Sequence, residues 1–126
     1  MSLNEVEQRT AAIREAQVAI SCLFLDTELA KGDLAALARV LKSTGLPPAE
    51  LQRIYETEVA PACWRNLWAV PGGVWDGFEE EWLMSAIERH RLRGAPPRSL
   101  FQRLRIRLWT SRTREEWARV MQICAG

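Results

Sequence analysis

The sequence predicts an all-α fold, a single-domain orthogonal bundle of six or seven helices spanning residues 1–126. Three observations predict it. Apolar residues recur at spacings of three and four through most of the chain, the period of an amphipathic helix. Proline and glycine clusters interrupt that period at helix-length intervals. The one stretch with a strand-like period of two, RLRIRL at 103–108, has no second convincing strand to pair with, and a lone strand leaves its backbone unsatisfied.

The elements follow in order. From Asn4 to Leu25, Val6, Ile13, Ala16, Ile20, Leu23 and Phe24 form an apolar stripe, with Glu7, Arg14 and Glu15 off it. Asp26 and Thr27 can interrupt this helix, because their side chains compete for backbone hydrogen bonds. A second helix is expected from Asp33 to Ser43, with Leu34, Leu37, Val40 and Leu41 inward and Gly45 as its stop. Pro47 and Pro48 open a third, with Glu50 in the first turn, where a carboxylate suits the helix dipole. It carries Leu51, Ile54, Tyr55 and Val59, and Pro61 is expected to end or kink it.

A short helical piece, Ala62 to Ala69, should follow, and PGG at 71–73 is the clearest break. Asp76 and Glu79 make a capping-box-like start for a helix from Gly77 to Arg91, with Phe78, Trp82, Leu83, Ala86 and Ile87 inward. GAPP at 94–97 breaks the chain again. Between Ser99 and Trp109 strand and helix compete. Ser99 with Gln102 fits a capping box, and Phe101, Leu104 and Leu108 fit a helical face, so helix is the preferred reading. Thr113 with Glu116 makes a further capping box, opening a last helix that carries Trp117, Val120, Met121 and Cys124.

Charge is distributed very unevenly. The last 39 residues carry ten arginines against three acids, and the first 87 carry seven basic residues against thirteen, beneath a formal net charge of +1. Such polarity offers a partner two different surfaces. No apolar run approaches the roughly 20 residues that cross a bilayer, and the polar, acidic start MSLNEVEQRT resembles neither a signal nor a transit peptide. A cytoplasmic location with no membrane partner is expected. Cys22, Cys63 and Cys124 are odd in number and form no CxxC pair, so they read as small buried apolar side chains in a reducing cytosol.

Chemistry-bearing constellations are sparse. Asp26 and Glu28, flanking Thr27, could act as paired carboxylates in a cleft, but a helix-end role for Asp26 and an arginine partner for Glu28 explain them as well. Glu79, Glu80 and Glu81 suit the start of a helix and thicken an acidic surface. With no second carboxylate or histidine at ligand spacing, no metal site is expected. His90, the only histidine, reads as a solvated residue near a helix C-terminus. No nucleophile motif and no phosphate loop is present, so neither catalysis nor a cofactor is expected.

Six tryptophans are an unusual load, with Trp64, Trp68, Trp75 and Trp82 crowded together. Core packing accounts for most of them, and Trp75, between glycines, is the best candidate for an exposed anchor. The arginines Arg89, Arg91, Arg93, Arg98, Arg103, Arg105 and Arg107 could track phosphates. Arginine also pairs bidentately with carboxylates, and internal or intersubunit salt bridging to the acidic part of the chain is the preferred reading.

The segments LFLDTEL (23–29), ARVL (38–41), EVAP (58–61), NL (66–67) and VWDGFEEEWL (74–83) resemble a family of small bacterial domains of unknown function with the pattern LFLDTEL, ARVL, EVAP, NL, VWxGFxxEWL. The resemblance covers roughly residues 15 to 90 and leaves the arginine-rich end unmatched. Phe24, Asp26, Glu28, Pro61, Trp75, Gly77, Phe78, Glu81 and Trp82 carry it. It implies a small helical domain without an assigned activity, of a kind similar to immunity or antitoxin-type binders.

Taken together, the sequence points to a non-catalytic protein–protein interaction module whose acidic face, Asp26, Glu28 and Glu79 to Glu81 with Trp75 beside it, covers a basic partner. Three alternatives remain: nucleic-acid binding through the C-terminal arginines, an enzyme using Asp26 and Glu28, and a homodimer in which acidic and basic ends meet.

Overall fold

The computed structural model describes residues 3–24, 31–64, 80–92 and 100–125, and every element among them is helical. In order these are α1 (Leu3–Ser21), a 3₁₀ turn (Cys22–Phe24), α2 (Lys31–Ser43), α3 (Pro48–Ile54), a π turn (Tyr55–Val59), α4 (Ala60–Cys63), α5 (Glu80–Leu92), α6 (Leu100–Thr110) and α7 (Arg114–Ala125). The all-α expectation holds, and residues 100–110 are helix rather than strand. Asp26 and Thr27, the PGG and GAPP breaks, and the boxes at Asp76 and Ser99 lie outside the described residues.

The centre of the bundle is the continuous rod made by α3, the π turn and α4, which touches α1, α5, α6 and α7; α2 bridges α1 and α7. Pro47 and Pro48 begin the rod as expected, with Pro48 in the first turn. Pro61 does not end it, since the helical run continues to Cys63. An α register would need an N–H from Pro61 that proline lacks. The π turn resets the register by one residue, with Ala60 N–H donating to the Tyr55 carbonyl. Pro61 thereby falls in the first turn of α4, where helices accept proline. The Thr57 hydroxyl donates to the Arg53 carbonyl at 2.6 Å, so that acceptor has a partner within the altered turn.

The core around the rod comprises Ile20, Phe24, Leu41, Leu51, Ile54, Tyr55, Val59, Leu83, Trp117 and Val120, among others. Tyr55 stacks on Trp117 with ring centroids 4.4 Å apart, and the Trp117 indole N–H donates to Gln52 Oε1 at 2.6 Å. A buried indole or phenol needs such a partner for its polar end. Helix α2 closes with Gly45 at φ +73°, the left-handed conformation that glycine adopts without a Cβ clash.

Six inward assignments on four helices fail, and each failure follows from what packs where. Val6 is exposed because Asn4 to Ala11 of α1 are exposed on every side. Val40 lies at the edge of the face formed by Leu34, Leu37, Ala38 and Leu41. Trp82 is exposed, since Leu83, Ala86 and Ile87 set the inward line of α5. Phe101, Leu104 and Leu108 point away from the body, because α6 buries Trp109 and Thr110 instead.

The box at Thr113 and Glu116 is also not formed, although α7 starts where it predicts. Thr113 N–H turns back to the Thr110 carbonyl at 3.1 Å, and its hydroxyl meets the Tyr55 phenol. Glu116 Oε2 is left buried without a hydrogen-bond partner.

Candidate interaction surface

Helix α6 carries six apolar residues among its eleven, more than one buried face can absorb. At about 100° per residue, Ile106, Trp109 and Thr110 point one way, and Phe101, Leu104 and Leu108 fall within an arc of about 60° on the opposite side. The inward set is held firmly. Trp109 is buried and meets His90 of α5 edge-on, with ring centroids 5.3 Å apart, and the Thr110 hydroxyl donates to the Ile106 carbonyl at 2.7 Å. His90 is therefore half-buried against an indole rather than solvated as the sequence suggested.

The outward set is unusually bare for side chains of its kind. Phe101 is 74 % exposed, Leu104 54 % and Leu108 48 %. A contiguous apolar ridge on a surface helix marks an interaction site more often than an isolated exposed leucine does. Arg103 and Arg107 flank the ridge on one side and Arg105 on the other, and all three are exposed. None of the three, nor Arg89, makes an ion pair among the described residues. Internal salt bridging, half of the sequence-based preference, is thus seen for none of these four among the described residues. Residues 89–114 contain nine arginines and no acid, which leaves Arg103, Arg105 and Arg107 with no carboxylate nearby in sequence.

Only part of the other half of the expected site falls among the described residues. Asp26, Glu28, Trp75 and Glu79 lie outside the described residues, as do Arg93 and Arg98 and the side chain of Arg91. Glu80 and Glu81 are exposed on the first turn of α5, and Glu80 is engaged by Arg14 Nε at 2.8 Å.

A second polar constellation, unexpected from the sequence, is internal. Glu58 lies in the π turn with its side chain 3 % exposed, and accepts hydrogen bonds from Gln17 Nε2 and Arg53 Nη1, each at 2.6 Å. Arg53 also donates to Glu50 at 2.9 Å, and Glu50 receives Arg9 at 3.4 Å. The Arg53 hydrogen bond holds the Glu50 carboxyl below the usual carboxylate range, and that pairing raises the guanidinium in return. This chain fastens α1 to the rod. Its members are satisfied by one another, so it reads as structural.

The thiols offer no reactive centre. Cys63 is buried and pushed up to about 12 by desolvation, and burial raises Cys22 and Cys124 as well, which suppresses the thiolate. All three are free, and only Cys63 is buried as the sequence suggested, since Cys22 and Cys124 are half-buried. Among the described residues no group of three or more His, Cys, Asp or Glu side chains is placed to hold a metal ion. No described helix is long and apolar enough to cross a membrane.

No curated protein and no solved structure matches the chain. Residues 11–123 match the model of a domain of unknown function, DUF7079. The match takes in the arginine-rich end that the resemblance left out, and α6 lies wholly within it. It begins after the first turns of α1, which are exposed. This match, over nearly the whole length of the chain, places it in the DUF7079 family of domains of unknown function.

Proposed function

We propose that this protein is a non-catalytic protein–protein interaction module that binds through the outer face of α6. One observation carries the reading: Phe101, Leu104 and Leu108 form an exposed ridge on a helix whose opposite face is locked into the core by Trp109. Such a ridge is presented rigidly, so little ordering entropy opposes binding. The composition around it supports a protein partner over a polyanion. Interfaces between proteins are enriched in phenylalanine and arginine and depleted in lysine, and residues 89–114 hold no lysine at all. A nucleic acid would engage the arginines but would leave the ridge between them without a counterpart.

Site-specific photo-crosslinking in the native host tests this. A photoreactive residue at position 104 should give a discrete protein adduct that is absent when the probe sits at exposed Gln122 on α7. The captured protein, purified, should bind the wild-type chain and lose at least tenfold in affinity against Leu104→Asp. The reading fails if the adducts at 104 and 122 match, or if the purified pair does not associate.

A further inference from the structure

The outer face of α6 has a finer pattern than an apolar ridge with cations beside it. Phe101, Leu104 and Leu108 are spaced three and then four apart, the a, d, a′ spacing of a heptad seam. In that register Arg105 stands at e and Arg107 at g, the two positions that choose a coiled-coil partner by charge. Ile106, at f, faces away from the seam and packs against the core of this protein. The pattern is that of one half of a short two-helix seam, carried on a folded body.

We infer that α6 docks an amphipathic helix of the partner protein, with apolar residues at its a and d positions and carboxylates at its e and g positions. The inference rests on the interaction-module reading and names its partner. Charge complementarity selects the occupant. A second copy of α6 would set Arg105 and Arg107 against the same arginines, and like charges at e and g oppose pairing. A partner with Glu or Asp there supplies each guanidinium with a carboxylate, the bidentate geometry that arginine favours. Neither Arg105 nor Arg107 has an ion pair among the described residues to give up first. Eleven residues of helix extend about 16 Å, so the seam supplies orientation and specificity for a contact that the partner's body extends.

Three synthetic helical peptides of three heptads test the inference on the full-length chain, read by fluorescence anisotropy: leucine at a and d with glutamate at e and g, the same seam with lysine at e and g, and the glutamate peptide with serine at a and d. The glutamate peptide should bind at least tenfold more tightly than either of the others. Leu104→Asp should abolish the preference, and the double variant Arg105→Glu/Arg107→Glu should reverse it in favour of the lysine peptide. Circular dichroism melts of both variants should overlay the wild type, which separates lost recognition from lost folding. Equal binding of the three peptides, or binding unmoved by Leu104→Asp, overturns the inference. So does Leu104-dependent binding to anionic phospholipid vesicles or duplex DNA with no response to the glutamate peptide. If the crosslinked partner contacts residue 104 through a surface other than an acidic helix, the seam is refuted while the interaction-module reading stands.

Discussion

The Tyr55 phenol oxygen and the Thr113 hydroxyl lie 2.6 Å apart, both residues buried, where the π turn meets the start of α7. One bond thus joins the central rod to the C-terminal helix across 58 residues of sequence. Desolvation pushes Tyr55 up to about 12. Removing the phenol oxygen leaves Thr113 with only the Thr110 carbonyl at 3.5 Å. Tyr55→Phe should therefore lower unfolding stability by about 1–2 kcal/mol in urea denaturation near neutral pH.

The same residue sets an alkaline limit. The folded state keeps Tyr55 protonated to a higher pH than the unfolded chain, whose tyrosine titrates near 10. Its contribution is complete below pH 10 and is lost as pH rises from 10 through about 12. Urea midpoints followed from pH 8 to pH 11.5 should fall more steeply for wild type than for Tyr55→Phe. Parallel curves would show that Tyr55 is not the group responsible.

Glu58, Gln17 and Arg53 should behave as a coupled set. Glu58→Ala removes the acceptor of two 2.6 Å hydrogen bonds and strands the buried Gln17 amide. A loss of about 2–4 kcal/mol is expected, with Glu58→Gln costing less because one oxygen acceptor survives. In a double-mutant cycle with Gln17→Ala the two effects should fall short of additivity by at least 0.5 kcal/mol. Strict additivity would mean that the contact contributes nothing.

The two faces of α6 should respond oppositely to substitution. Trp109→Ala empties a buried site and should cost about 3–5 kcal/mol. Leu104→Asp, on the exposed ridge, should stay within about 0.5 kcal/mol of wild type. Thermal melts of the pair decide whether the helix is seated as described, and equal losses would contradict it.

Gly45 isolates a backbone effect. Nothing lies within 4 Å of where a Cβ would stand, so the φ of +73° is the sole obstacle to a side chain. Gly45→Ala should cost about 1–2 kcal/mol, and Gly45→Asn less, since asparagine tolerates that conformation better. Chemical denaturation of both variants checks the order.

Much of this fold was legible one segment at a time. The prolines at 47 and 48, Gly45, and the apolar spacing of Leu51, Ile54, Tyr55 and Val59 state where helices begin, stop and face, because capping and periodicity act over a single turn. Pro61 was misread because a π turn is a cooperative answer. It places Tyr55 against Trp117, and Glu58 against Gln17, and neither neighbour is local in sequence. The capping box at Thr113 failed for a related reason, since its hydroxyl had a distant phenol to satisfy.

For the interaction surface the division is sharper. By itself the sequence determined that α6 is amphipathic, rich in arginine and poor in acids, since these are properties of composition and period. Which of its two apolar lines would be buried was decided only by the tertiary structure. Ile106 and Trp109 won the core because the rod and α5 offered them a close-packed seat and His90 a ring to meet. Phe101, Leu104 and Leu108 were left outside because one helix can turn only one side to the same core.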